Sequence, residues 1–194
     1  MHKLTLLISF MLLGTLIKAQ STWSFDKTHS NISFNVEHLV ISDVTGKFRS
    51  FEGEVVTKAG DFAGSKISFV IDVNSLDTDN EKRDGHLKSD DFFNAEKYPK
   101  ITLSNGVLEQ VEGNKYKLKG DLTIRDVTKP VVFEVKYGGT ITDPDGNVKA
   151  GFKIKGMINR FDYHMKFNAA MEAGGLIVGE DVEIVCNIEL IKQS

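Results

Sequence analysis

The sequence contains one cysteine, Cys186, and three prolines among its 194 residues. A single cysteine rules out an intramolecular disulfide, so the fold must be held together by its hydrophobic core. The chain contains no proline- or serine-rich linker, repeat or low-complexity segment, and we therefore predict one domain. After residue 17 no apolar run is long enough to span a bilayer, so stable membrane insertion is not expected.

The sequence also lacks the motifs of common catalytic and cofactor sites. It contains no G-x-S-x-G elbow, no H-E-x-x-H pair, no cysteine pair for zinc, no Walker loop and no dinucleotide fingerprint. Cys186 falls on the inward-facing parity of a predicted strand, which favours a buried, inert thiol over a nucleophile. We predict no metal site, no cofactor and no catalytic residue.

The first 19 residues have the pattern of a secretory signal peptide. His2 and Lys3 precede an uncharged apolar run over residues 4–17, and a small residue, Ala19, stands where a signal peptidase could cut. We predict a signal peptide over residues 1–19 and a mature protein of residues 20–194 that is periplasmic or secreted. Removing Lys3 and Lys18 takes the net charge from −3 to −5, which argues against a nucleic-acid partner.

Most of the mature chain alternates apolar and polar residues, which is typical of half-buried β-strands. Six runs share this period of two: Ile32, Phe34, Val36 and His38; Ile67, Phe69, Ile71 and Val73; Tyr116, Leu118, Leu122 and Ile124; Val131, Phe133, Val135 and Tyr137; Phe152, Ile154 and Ile158; and Val182, Ile184, Cys186, Ile188 and Leu190. The alternation slips between Phe48 and Phe51, which predicts a β-bulge near Ser50.

About eight strands with short hairpin links follow from this pattern, and such a set can close as a barrel or stack as a sandwich. Gly120 and Gly156 share the inward parity with apolar residues, and small residues on the inner face leave space. An eight-stranded barrel is wide enough either to be filled by side chains or to hold one small ligand. The residues alone leave both interpretations open.

One stretch, residues 78–93, departs from the strand pattern. Thr78 and Glu81 fit a capping box, which predicts a helix over about residues 79–89. This helix is polar and weakened by Gly85, so we expect Phe92 and Phe93 to anchor it at the end of the sheet structure.

Four polar residues are candidates for contact with a ligand. His29 precedes a strand, where hydrogen bonding within a turn is its simplest role. Arg83, Asp84 and His86 lie within one helical turn, and two roles remain open for them. They could tie the helix to the rim of the sheet structure, or Arg83 and His86 could grip a polar head group.

Several motifs together give the chain a strong resemblance to the YceI-like family over nearly all of its mature length. These are Trp23-x-Phe25-Asp26-x-x-His29-Ser30, Phe34-x-Val36-x-His38, Gly46-x-Phe48-x-x-Phe51-x-Gly53, Asp77-Thr78 with Arg83-Asp84-x-His86-Leu87, Asp91-Phe92-Phe93, Tyr98-Pro99, Gly120-Asp121-Leu122-Thr123-Ile124 and Thr128-Lys129-Pro130-Val131. The family usually has Asn-Arg-x-Asp-Phe-Gly near the penultimate strand, whereas this chain has Tyr163 and His164 at the last two positions. His164 is therefore expected to alter that loop and the cavity mouth.

The resemblance implies an all-β fold, an antiparallel eight-stranded lipocalin-like barrel with one short helix near an opening. It also implies an exported protein that holds a long-chain isoprenoid or other amphiphilic lipid, for transport, storage or stress protection. The expected cavity lining is Phe34, Phe69, Leu118, Phe133, Phe152 and Ile184, with His29, Arg83, Asp84 and His86 at the rim.

Two alternatives to lipid binding stay open. One is an enzyme that acts on such a lipid through Arg83, Asp84 and His86, although a polar triplet on a helix is weak support for catalysis. The other is a packed barrel whose partner is another protein. An exposed sheet edge could also pair two copies in a homodimer.

Overall fold

The computed structural model describes residues 20–58, 61–170 and 174–193. The signal peptide predicted for residues 1–19 lies outside the described residues and stays a prediction. The described chain contains eleven strands, one α-helix and two short 3-10 helices over Val73–Ser75 and Arg160–Tyr163. The strands are β1 (Gln20–Phe25), β2 (Asn31–His38), β3 (Ser42–Phe48), β4 (Phe51–Lys58), β5 (Asp61–Asp72), β6 (Leu76–Asp77), β7 (Lys100–Glu112), β8 (Lys115–Ile124), β9 (Val127–Thr142), β10 (Val148–Asn159) and β11 (Val178–Lys192), and the helix is α1 (Glu81–Lys88).

All strand pairs are antiparallel, and the sheet closes on itself. The order β1-β4-β5-β7-β8-β9-β10-β11 returns to its start because β1 also pairs with β11. β2 pairs with the first part of β11, and β3 pairs with β2. In the barrel wall β2 therefore continues the position of β1, and β3 continues the position of β4. The result is the eight-stranded antiparallel barrel with one short helix that the resemblance implied.

The barrel has two distinguishable ends. Because neighbouring strands are antiparallel, one end carries α1, the β2–β3 turn, the β8–β9 turn and the connection from β10 to β11. We call this the helix end. The opposite end, here the turn end, carries the short β7–β8 and β9–β10 links.

The change of phase between Phe48 and Phe51 is a break between two strands, so the predicted bulge near Ser50 is wrong. β3 ends at Phe48, β4 begins at Phe51, and both phenylalanine side chains are buried. A real bulge lies elsewhere, in β5, where Gly64 has a left-handed φ of 73° and the register with β4 shifts.

The predicted helix exists, but its capping box is wrong. Asn80 caps α1, because its side-chain oxygen accepts the backbone N–H of Arg83 at 3.0 Å. Asp79 has a left-handed φ of 58° and separates Thr78 from the helix. Phe92 and Phe93 are buried beside α1, as expected for its anchor, and the Phe93 amide donates to the carbonyl of Leu87.

Among the described residues, no helix combines the length and apolar character needed to cross a bilayer.

Candidate functional site

The barrel encloses a cavity whose wall is almost entirely hydrocarbon. Its volume is about 180 Å³, counted as the space open to the centre of a water-sized sphere. In this measure about 10–15 Å³ holds one water molecule, so the cavity is more than ten times that size. The sequence left open a barrel whose interior is filled by side chains, but the structure has a cavity instead. Protein interiors rarely leave such a space, because an unfilled void forfeits dispersion contacts.

The cavity is elongated along the barrel. Its wall includes Phe62 near the start of β5 and Ile71 near the end of that strand. β5 is irregular between them, and its residues 61–71 face β4 residues 51–58, so at about 3.3 Å per residue of β4 these positions lie on the order of 20 Å apart. The wall therefore suits a long apolar molecule better than a compact one.

Glycines opposite phenylalanines shape the wall. Phe34 faces Gly46 across β2 and β3, and Phe69 faces Gly53 across β4 and β5. A Cβ added to Gly46 would come within 2.2 Å of the Phe34 ring. These rings lie over glycine backbone on the neighbouring strand, so they occupy the wall rather than the lumen.

Gly156 and Phe133 repeat this arrangement, since a Cβ on Gly156 would come within 2.0 Å of the Phe133 ring. The sequence prediction that Gly156 leaves space is therefore wrong, because the Phe133 ring fills the space beside it. Gly120 instead lies against the backbone of Ser104 and Gly106.

Side chains from loops close the helix end of the cavity. Leu87 of α1, Phe92 and Phe93 after it, and Met165 after β10 all contribute to the wall. Phe92 stacks on Phe167 with ring centroids 5.2 Å apart. Sequence reasoning assigned none of these residues to the cavity, since loop residues have no strand periodicity.

Two buried arginines hold these loops in place. Arg160 donates to the backbone carbonyls of Gly179, Phe167 and Val178 at 2.6–3.0 Å. Arg125 donates to the carbonyls of Asp90, Phe92 and His164 and pairs with the Asp90 carboxylate at 2.7 Å. Sequence analysis missed both as site residues, although Arg160 belongs to the motif quoted for the family resemblance.

Arg160 also lines the cavity, and its side chain is fully buried. Burial lowers the pKa of the guanidinium, and the charge of Glu180 partly offsets that effect. An arginine stays protonated in proteins, so a positive charge lies behind the helix end of the wall, with its N–H groups bound to backbone carbonyls. Among the described residues, Arg160 is the one charged side chain on the wall.

All six residues predicted to line a cavity lie on its wall: Phe34, Phe69, Leu118, Phe133, Phe152 and Ile184. That they bind a ligand stays a prediction. Cys186 also lies on the wall, and burial raises the pKa of its thiol to about 12. A thiol with so high a pKa has almost no thiolate at neutral pH, consistent with an inert side chain.

The polar residues of α1 make their hydrogen bonds within the loop around the helix. Arg83 donates to the hydroxyl and the carbonyl of Thr78 at 2.8 and 2.7 Å, and Asp84 accepts the amide and the hydroxyl of the same Thr78. His86 lies 2.9 Å from Asp91 and contacts the ring of Phe92 edge-on.

Arg83 and Asp84 therefore clamp Thr78, whereas His86 has a different partner. This arrangement ties the helix to the barrel. The three side chains do not converge on one position, as the groups of an acid–base site would. None of the three is on the cavity wall, and contact with a ligand head group stays a prediction.

His29 lies apart from α1, in the turn between β1 and β2. Its ring nitrogen is 2.9 Å from Asp26, whose carboxylate also binds Lys149 at 3.0 Å. Burial would raise the pKa of Asp26, but hydrogen bonds from His29, Lys149 and Thr28 outweigh it and hold that pKa well below its usual range.

Asp26, His29 and Glu189 lie close enough together to suggest a metal site. The ammonium of Lys149, 2.8 Å from Glu189 and 3.0 Å from Asp26, already supplies their positive charge. The cluster fastens the bend between β1 and β2 to β10 and β11, which is the structural role expected of His29.

His164 keeps the backbone geometry that a glycine favours. Its φ is 58° and its ψ is 26°, in the left-handed region. The side chain is exposed and lies 3.2 Å from Asp126, outside the cavity wall. The side chain therefore does not line the cavity, and an effect of His164 on the loop and the cavity mouth stays a prediction.

Comparison with known proteins agrees with this architecture. A sequence model of the YceI-like domain matches residues 23–190. A UPF0312 protein of Staphylococcus aureus strain N315 is 38% identical over 170 residues, which cover 87% of this chain and 96% of that protein.

Two solved structures share the fold. The Campylobacter jejuni YCEI protein is 31% identical, with a TM-score of 0.70 over 87% of this chain and 96% of that one. A polyisoprenoid binding domain from Saccharophagus degradans, implicated in plant cell wall breakdown, is 17% identical, with a TM-score of 0.61 over 88% of this chain and 98% of that one.

Proposed function

The chain belongs to the YceI-like domain family, and we propose that it is an exported protein that binds a long-chain isoprenoid or similar amphiphilic lipid inside its barrel. The observation that carries this proposal is the elongated, almost wholly apolar cavity of about 180 Å³. The polyisoprenoid-binding description of the Saccharophagus degradans domain supports the same ligand class. Transport, storage and stress protection are all compatible roles.

Burial of hydrocarbon supplies the affinity without special chemistry. Each buried methylene contributes about 0.8 kcal/mol, so ten contribute about 8 kcal/mol. Association itself costs about 4–15 kcal/mol in lost freedom. A short-chain compound therefore gains too little to bind, and only a long chain that fills the cavity binds tightly.

We further propose that the polar end of the ligand lies at the helix end of the barrel. Arg160 places a buried positive charge behind the wall there, bound to backbone carbonyls, and the rest of the described wall offers no charged side chain. A charge in a poorly solvated site interacts strongly with a polar or anionic group nearby. The apolar chain would then extend toward Phe62 and the turn end.

Binding fits the helix end better than catalysis does. Arg83 and Asp84 both hydrogen-bond to Thr78, and no arrangement of nucleophile and base faces the cavity among the described residues. We therefore propose a binding protein rather than an enzyme.

Homodimer formation stays a prediction. Sedimentation analysis of the mature protein tests it.

A chain-length series tests the proposal. Delipidated protein of residues 20–194 is titrated calorimetrically with primary alcohols of increasing chain length. We expect affinity to rise about fourfold per methylene and then to reach a plateau when the chain fills the cavity. Affinity that does not depend on chain length, or no binding at any length, would overturn the proposal.

A pair of variants locates the binding site in the barrel. Leu118→Trp adds volume inside the cavity, whereas Val132→Trp adds it on the outer face of the neighbouring strand, where Val132 is 56% exposed. The first variant should lose affinity for long alcohols and the second should keep it. Equal affinities would place the ligand elsewhere.

Export is tested separately. The protein recovered outside the cytoplasm should have the mass of a chain that begins at Gln20.

A further inference from the structure

The turn between β2 and β3 carries three consecutive apolar residues, the half-buried Leu39 and the exposed Val40 and Ile41, which we call the apolar tip. Ile41 is 84% exposed and Val40 is 53% exposed. Single exposed apolar residues are common on protein surfaces, but contiguous ones mark sites of interaction. The tip projects from the helix end of the barrel, beside the connection from β10 to β11.

The backbone of the tip is unfavourable for these residue types. Leu39 and Val40 both have left-handed φ values, 54° and 62°, and the amide of Ile41 donates to the carbonyl of His38 across the turn. Two-residue hairpin turns of this kind favour Asn-Gly, because β-branched residues adopt positive φ only with strain. Folding alone would favour polar or small residues here.

The strands below the tip add a second unfavourable feature. Glu37 and Asp43 are directly opposite each other across β2 and β3, and both are exposed. Like charges in facing positions destabilise a strand pair. The turn is strained, exposed and apolar, and it lies above two carboxylates, so it lowers the stability of the fold. A feature that lowers stability indicates an interaction with another molecule.

The tip lies close to the apolar wall of the cavity. Val36 of β2 lines the cavity three residues before Leu39, and Val178 of β11 lines it beside the tip. The amide of Leu39 donates to the carbonyl of Ile177 at 3.0 Å, which joins the tip to the start of β11. The tip thus lies at the helix end of the cavity, one strand pair away from residues of its wall.

We propose that the apolar tip inserts into a zwitterionic lipid surface and holds the helix end against it while the ligand moves between membrane and cavity. This inference rests on the proposed function. The two exposed side chains of the tip are both aliphatic, whereas binding hot spots between proteins are rich in Trp, Tyr and Arg, so the tip fits the acyl region of a bilayer better than a protein surface. Glu37 and Asp43 would be repelled by anionic lipid, which favours a zwitterionic surface.

Vesicle flotation tests the insertion step without any ligand. The protein of residues 20–194 is mixed with phosphatidylcholine vesicles and compared with the double variant Val40→Asn/Ile41→Ser. Asparagine tolerates positive φ, so this variant should fold at least as stably as the natural chain. The control is Ile141→Ser, which removes an isoleucine that is 66% exposed at the turn end.

We expect the double variant to lose at least tenfold in vesicle partitioning, because two aliphatic side chains no longer enter the bilayer. Ile141→Ser should partition like the natural chain, and phosphatidylglycerol vesicles should bind the protein less well than phosphatidylcholine. Flotation that is equal in all three proteins, or absent in the natural chain, would overturn the inference. A tip-dependent dimer without flotation would overturn it as well.

Ligand transfer separates this inference from the proposed function. A fluorescent long-chain alcohol is supplied either from phosphatidylcholine vesicles or free in solution. The double variant should take the probe from vesicles at least tenfold more slowly and bind the free probe with unchanged affinity. Equal uptake rates would contradict the role of the tip, whereas failure of the natural chain to bind the free probe would contradict the proposed function alone.

Discussion

Replacing Gly156 with alanine should narrow the cavity, because a side chain at this position collides with a ring of the cavity wall. The new Cβ would lie 2.0 Å from Cδ1 and 2.7 Å from Cε1 of Phe133. Carbon atoms in contact stay at least about 3.4 Å apart, so the ring must move by more than about 1 Å. The β10 backbone lies behind the ring, so the ring moves into the lumen.

The size of the effect follows from the volume that the ring takes. A ring displaced into the lumen excludes about two or three methylenes of a bound chain, which corresponds to about 2 kcal/mol or about thirtyfold weaker binding. Crowding at the wall should also lower the free energy of unfolding by about 1–3 kcal/mol. A fluorescent long-chain alcohol measures the first quantity and urea unfolding the second.

Two further variants make this prediction sharp. Gly151→Ala lies in the same strand, and its added Cβ meets no atom within 4 Å, so it should bind the probe like the natural chain. Gly156→Ala/Phe133→Leu removes the displaced ring and should restore most of the affinity. If Gly156→Ala and Gly151→Ala bind equally well, the Phe133 ring does not bound the ligand space and the reasoning is refuted.

Three other perturbations test the surroundings of the cavity. Asp26→Asn should lower the free energy of unfolding at pH 7 by about 2 kcal/mol. Because the pKa of Asp26 is lowered in the folded protein, this difference in unfolding free energy should shrink as the pH falls below about 4. Urea unfolding from pH 7 to 3 measures the difference. A difference that stays constant with pH would contradict the ion-pair account. Cys186 should not react with a thiol reagent at pH 8 until urea unfolds the protein, since burial raises its pKa to about 12; fast reaction of the folded protein would mean that the wall is open to water. Asn80→Ala should cost about 1 kcal/mol in urea unfolding through loss of the helix cap, while Thr78→Ser, which keeps the hydroxyl, and Glu81→Ala should both cost less. A larger loss for Glu81→Ala than for Asn80→Ala would support the capping box of Thr78 and Glu81 instead.

The barrel and much of its lining could be predicted because strand alternation depends on local sequence alone. Phe34, Leu118 and Ile184 face inward simply because their strands have one apolar face. Where a strand is irregular, the same argument fails. Phe62 lines the cavity, but the bulge at Gly64 puts it out of phase with Ile67 and the rest of β5.

Features that depend on long-range contacts could not be predicted in this way. Phe92 reaches the cavity from a loop whose position is set by Arg125, 33 residues away in sequence. Met165 follows Arg160 closely, but Arg160 is itself held by the carbonyls of Gly179 and Val178, 19 and 18 residues away. The glycine–phenylalanine pairs depend on strand register, which no single run of residues specifies. His164 shows the converse, since the left-handed backbone is kept although the residue type differs from the usual glycine.

Native mass spectrometry of residues 20–194, purified without detergent, tests the central claim most directly. The account predicts a stoichiometric adduct that organic extraction releases as a long-chain amphiphile, and that Leu118→Trp reduces. A mass equal to that of the polypeptide alone, with no uptake of added polyprenyl or fatty-acyl compounds, would contradict a lipid-binding barrel.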